Sequence, residues 1–148
     1  MSTRSRIAIE TRDTDGNQVI NSIYCHFDGY PEGVGTTLFN HYTSKEKVTE
    51  LIKLGDISSL GIRLTSDGPH SFDTPEKGTT VAYHRDRGED FCEPRVDHSI
   101  PEFIKSDVEE YGYLFTEEGE WLIADGHANA SSREAEPLNY VLSGIIKL

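Results

Sequence analysis

Apolar and polar residues alternate over residues 7–11 and again over residues 19–27, on either side of a segment containing Asp15-Gly16. A period of two marks a strand with one buried face, and Asp-Gly suits a tight reversal, so these runs predict a β-hairpin. The period then changes. Leu38, Phe39 and Tyr42 recur at helical spacing, and so do Val48, Leu51 and Ile52, with Thr43 and Glu46 as a capping box and Gly55 as a stop. Residues 56–78 keep no period and carry Gly, Pro, Ser or Asp at close intervals, which predicts a long surface loop.

Residues 79–86 return to β-branched and aromatic types and predict a third strand. Ser99 and Glu102 then form a second capping box, Ile104, Val108 and Tyr111 share a stripe, and Gly112 ends the helix. The runs YLF and WLIA flank a turn near Gly119 and read as a hairpin. A helix and a hairpin in sequence cover each other's apolar faces, which places Ile104, Phe115, Trp121 and Leu122 in one core. In the tail, Leu138, Val141, Leu142, Ile145 and Ile146 fit a helical stripe, whereas Gly144 and the β-branched residues argue against a helix. Helix and strand both stay open there.

The whole pattern predicts a single α+β domain with an antiparallel sheet built from hairpins and two to four short helices. That domain spans residues 1–125, a linker spans 126–136, and an apolar tail over 137–148 packs on the domain or on a partner subunit. The tail exceeds what a compact domain needs, so a homo-oligomer is expected.

Charge changes this picture. Against 14 Lys plus Arg stand 26 Asp plus Glu, a net charge of -12, which disfavours nucleic-acid backbones and anionic membranes as partners and favours a basic protein surface. Cys25 and Cys92 are the only cysteines, and the chain carries neither a leader pattern nor a long apolar run, so a cytoplasmic protein with reduced thiols is expected.

Two stretches carry candidate chemistry. In SIYCHFDGYPEGVG a strand ends at Phe27, and Gly29, Gly33 and Gly35 precede a helix beginning near Thr36. Strand, glycine loop and helix start is an arrangement that offers backbone N–H groups to an anion. It is neither a Walker motif nor a dinucleotide fingerprint, and a tight structural turn fixed by Pro31 needs the same residues. His26, Asp28, Tyr30, His41 and Tyr42 surround it and suit stacking on a base or hydrogen bonding to a ribose or phosphate. In YHRDRGED, Arg85 and Arg87 stand two apart beside Tyr83; at a strand end they point to one side and suit a phosphate. The alternative is a surface ladder with Asp86, Glu89 and Asp90.

The histidines and cysteines make no metal-binding pair at regular spacing, and Cys25 and His26 point to opposite faces of a strand, so neither a metal, a cofactor nor a catalytic set is indicated. A small hydrolase using His26, Asp28 and His41 remains a further alternative.

Together SIYCHFDGYPEGVG, LFNHY, LGDISSLG and AYHRDRGED resemble a family of small proteins carried by tailed bacteriophages, over residues 3–122. The matching positions are Tyr24, His26, Asp28, Gly29, Tyr30, Pro31, Gly33, Gly35, His41, Tyr42, Gly55, Asp56, Tyr83, Arg85, Asp86, Arg87 and Gly88. The resemblance implies a phage context rather than a mechanism, and with it counter-defence. The expectation is a protein that sequesters a nucleotide-derived immune signal, of cyclic-nucleotide or ADP-ribose type, without turning it over. Its ligand would meet the glycine loop and converge on Arg85 and Arg87. An acidic inhibitor of a host defence or nucleic-acid enzyme is the other reading.

Overall fold

β1 (Ser5–Arg12) and β2 (Gln18–Cys25) form the expected hairpin, in the register Ile7↔Ile23 and Ile9↔Asn21. The Asp13 carboxylate accepts the N–H groups of Asp15 and Asn17, and Gly16 takes a positive φ of 82°, so the reversal is built by Asp13 as much as by Asp-Gly. The computed structural model describes residues 2–148.

The chain continues through a π-helical turn (Pro31–Gly35) into α1 (Thr36–His41), α2 (Lys45–Lys53), β3 (Ile57–Ser59), β4 (Val81–Ala82) and α3 (Tyr83–Arg87). β5 (Arg95–Asp97), α4 (Ile100–Lys105), β6 (Tyr111–Phe115), β7 (Trp121–Asp125), β8 (Ala135–Pro137) and α5 (Leu138–Leu142) complete it. The fold is α+β. Its eight-stranded sheet runs β4-β3-β2-β1-β6-β7-β8, with β5 paired to β2.

The sheet is mixed rather than purely antiparallel, because β1 pairs with β6, and β2 with β3, in parallel. Both pairings join segments far apart in sequence, which a reading based on local turns does not anticipate. Among the described residues the α-helices number five, one more than expected, because five-residue α3 and α5 fall within stretches read as strand and as undecided tail.

Alternation along the strands sends side chains to two layers. On one face Ile7, Ile9, Ile23, Phe115, Trp121 and Ile123 pack under α1, α2 and α5, with Leu38, Leu51 and Leu138 fully buried. On the other, Ala8, Ile20, Leu114 and Ala124 pack under Phe103 and Ile104 of α4 and under Val108. Trp121 and Leu122 are strand neighbours and point to opposite layers, so the single core expected for Ile104, Phe115, Trp121 and Leu122 is instead two.

Several boundaries move for local reasons. Ser44, not Thr43, caps α2 by accepting from the Lys47 N–H. α4 stops at Lys105, and Tyr111 and Gly112 lie in β6, where Val108 packs flat on the Gly112 backbone and leaves no room for a Cβ. Within 56–78, read wholly as loop, β3 forms. The stretch read as a linker carries β8, whose Ala135 and Glu136 pair with Ala124 and Ile123.

Arg133 in that stretch is buried and donates from Nη1 to the Ile104 and Ser106 carbonyls and from Nη2 to those of Gly126 and Ala128. One guanidinium thus closes the C-terminal end of α4 onto the turn after β7.

Candidate functional site

The glycine loop folds onto its own backbone. Asp28 takes φ 59°, and its carbonyl accepts the Val34 N–H; the Gly29 N–H donates to Thr3 O and the Gly33 N–H to Tyr30 O. The Tyr113 hydroxyl, fully buried, donates to Gly29 O at 2.6 Å. A Cβ on Gly29 would stand 2.8 Å from Thr3 O, and one on Gly33 would overlap Asp28 O. These glycines serve close backbone packing, and three of the loop's amides, those of Gly29, Gly33 and Val34, are already engaged. Around the loop, Asp28 and Glu32 help line a cavity of about 200 Å³, which gives its mouth negative charge.

The aromatic and histidine residues separate into different roles. Tyr42 is fully buried: its hydroxyl donates to Gly61 O at 2.7 Å, and its carbonyl accepts the Trp121 Nε1–H at 2.9 Å. Burial pushes its phenol up. Such a group braces the core and offers nothing to a ligand. His41 is exposed at the end of α1, where its carbonyl accepts Lys47 Nζ. His26 bonds to the Tyr24 hydroxyl at 2.6 Å and to Ser2 Oγ at 3.0 Å, while Tyr30 is exposed.

Tyr83–Arg87 is a helix, not a strand end. The Asp86 carboxylate reaches back to the Ala82 N–H, and Gly88 in the left-handed region closes α3 by donating to His84 O, with the Glu89 N–H going to Tyr83 O. Two residues along a helix turn the side chain by about 200°, so Arg85 and Arg87 diverge instead of sharing a side. Arg85 donates to Leu64 O, to Thr80 O and to both oxygens of Asp86. Arg87 pairs with Glu89 and lies over the ring of Phe72 at 4.1 Å and of Tyr83 at 5.2 Å. The two guanidiniums are thus held by separate internal partners and do not form one phosphate fork.

Two residues without an assigned role in the sequence organise this region. His70 accepts the Glu76 N–H at Nδ1, which leaves the proton on Nε2, 3.2 Å from Asp86 Oδ2. Burial alone would raise the Asp86 carboxyl, yet the hydrogen bonds from Arg85 and Ala82, with the His70 ring in close contact, hold it below the ordinary carboxylate range. Asp56 accepts the Tyr24 N–H on its carboxylate and the Tyr83 N–H on its carbonyl, and donates its own N–H to Cys92 O. Burial raises its carboxyl above the ordinary range. In the sequence Asp56 is marked only as a position of the resemblance and His70 by no motif, because their partners are remote in sequence.

Nucleophile chemistry finds no footing at Cys25, which is fully buried and whose thiol burial pushes up to about 12. No group of three or more metal-ligating side chains occurs among the described residues.

A concave site lies where residues 88–94 cross the end of α2. Lys53, Gly55, His84, Asp90, Cys92 and Glu93 line a cavity of about 310 Å³ there, with Phe91 at its edge. Gly55, at φ 78°, permits the crossing, since a Cβ on it would overlap Cys92 O. No protein-family profile, curated protein or solved structure matches the chain. No helix among the described residues is long and apolar enough to cross a membrane.

Proposed function

We propose that this is a binding protein whose acidic surface covers a basic surface on a protein partner, and that it acts without turning over a substrate. The observation that carries this is the fate of its arginines. Seven of its eight arginines, Arg4 being the exception, donate to the chain's own serine, carboxylate or carbonyl oxygens. The excess of carboxylates behind the net charge of -12 is therefore left to set the surface potential.

The resemblance to phage proteins adds the context, a host protein in the bacterial cytoplasm, with inhibition of a defence or nucleic-acid enzyme as the outcome. Sequestration of a nucleotide-derived signal has less support, since Tyr42, Arg85 and the amides of Gly29, Gly33 and Val34 are committed to the fold. Self-association is a separate proposal, motivated by exposed Phe39, Tyr140 and Ile145 around a cavity of about 620 Å³.

The test is biolayer interferometry of the immobilised protein against purified host proteins of high pI, beside a matched acidic set and a panel of cyclic and ADP-ribose-type nucleotides. Binding confined to basic proteins, weakened at about 500 mM salt, is the expected result. Tight binding of a nucleotide with no protein bound would overturn the reading.

A further inference from the structure

We propose that Phe91 is the anchor of this binding surface, made to enter an apolar pocket rimmed by lysine and arginine side chains on the partner protein. The inference rests on the acidic-binding reading above and adds the residue through which it works.

Scattered apolar residues on a surface are ordinary. Phe91 differs in three respects. Its exposure, 92%, exceeds that of every other large apolar residue among those described, with Ile145 next at 71%. It adopts φ 61°, in the left-handed region where a β-carbon is disfavoured and glycine or asparagine is usual. The Phe91 side chain gains no burial in return for that conformation, and such outliers collect at ligand clamps.

The third respect is rigidity. Cys92, the next residue, is buried; its carbonyl accepts the Asp56 N–H at 2.9 Å and its thiol donates to the Glu89 and Asp90 carbonyls. On the other side, Gly88 and Glu89 close α3. The ring is therefore presented by a loop fixed at both ends, which lowers the entropy lost on binding. Aromatic anchors of this kind, seated in a partner's pocket, dominate interface energetics.

Charge identifies the partner's chemistry. The cavity beneath Phe91 is lined by Asp90 and Glu93. The Cys92 thiol, one residue away, is pushed up first by burial and then by Asp56, Glu89, Glu93 and Asp90; with Glu89 paired to Arg87 and Asp56 bonded to the Tyr24 N–H, Asp90 and Glu93 are the carboxylates left beside the ring. Lys53 is the cation in the lining, and it lies 3.6 Å from Glu50. A ring framed by carboxylates fits an apolar pocket with a cationic rim and repels an acidic one.

The experiment uses the full chain with Phe91→Gly, Phe91→Ala and the pair Asp90→Asn with Glu93→Gln, measured against the same host proteins of high and low pI. Glycine relieves the backbone conformation, so Phe91→Gly should melt no lower than the parent while its dissociation constant for the basic partner rises by about tenfold or more. The charge variant should slow association severalfold at about 50 mM salt, a difference that vanishes at about 500 mM. If the parent binds a basic protein and Phe91→Gly binds it as tightly, the anchor is wrong and the acidic-binding reading stands. If no basic protein binds the parent, both fall. A parent that sediments as a dimer while Phe91→Gly is a monomer would show that Phe91 docks on a second copy, which also overturns the proposal.

Discussion

Arg133 offers the sharpest test of the architecture. Its guanidinium is buried, faces no carboxylate, and holds four carbonyl oxygens at 2.8 to 3.1 Å, two at the end of α4 and two in the turn after β7. Hydrogen bonds involving a charged group contribute about 1.5–3 kcal/mol each, so the four together amount to roughly 6–12 kcal/mol before desolvation. Removing the guanidinium from water offsets several kcal/mol of that, and breaking a buried charged network typically leaves a net loss of about 3–5 kcal/mol. Arg133→Met keeps the aliphatic stem and removes the donors, so the loss falls on the hydrogen bonds. Arg133→Lys keeps the charge on a single ammonium that has no fork to span both carbonyl pairs, and should fall between parent and methionine. Urea unfolding followed by the fluorescence of Trp121, the only tryptophan, gives midpoint and slope for each. A methionine variant within about 0.5 kcal/mol of the parent would show that the four contacts do not hold α4 to the sheet.

Other consequences are equally direct. Because the folded Asp86 carboxyl lies below its unfolded value, the stability it contributes is present above about pH 4 and is lost as pH falls through the folded value. Asp86→Asn should therefore flatten the acid-side loss in urea midpoints measured between about pH 4 and 2, while lowering the midpoint at pH 7. Gly55→Ala combines a positive φ with overlap on Cys92 O, and should cost about 2 kcal/mol or more and lower hydrogen-exchange protection at Asp56, whose N–H bonds to Cys92 O. Trp121→Ala should cost about 3–5 kcal/mol. Trp121→Phe should cost less, mainly through the unpaired Tyr42 carbonyl, and a chemical melt of the two variants separates ring packing from that hydrogen bond.

What the sequence made legible was set by range. The β1–β2 hairpin, the Ser99 cap and the β6–β7 turn at Gly119 each follow from residues a few positions apart, and each formed, although β2 ends at Cys25 where the alternation runs on to Phe27. The parallel pairings and the division of Trp121 from Leu122 depend on which strand lies beside which, information that periodicity does not carry. At the site the failure was of another kind. Phe91 sits beyond the end of the YHRDRGED stretch and resembles any surface phenylalanine until its backbone angle and exposure are known. Tyr42 and Arg85 have the chemistry of ligand-binding residues, and only their partners reveal that they are used internally.

That internal use has a physical origin in the length of the elements. A helix leaves four N–H and four carbonyl groups without intrahelical partners, so five-residue α3 has more orphan groups than internal bonds. Its ends must be completed by side chains and turns. Asp86 supplies an acceptor for Ala82 before the helix, Gly88 supplies the left-handed closure after it, and Arg85 ties Leu64 and Thr80 to its flank. The two-residue β4 and three-residue β3 are no better able to hold themselves, and Asp56 bridges them to β2 and to the Phe91 loop through three backbone partners. A dense run of Tyr, Arg, Asp and Gly is thus what short elements require in order to be placed at all. In such a chain the polar motif residues are drawn inward as brackets. Phe91, exposed and left outside those brackets, is the residue to which the proposed anchoring role falls.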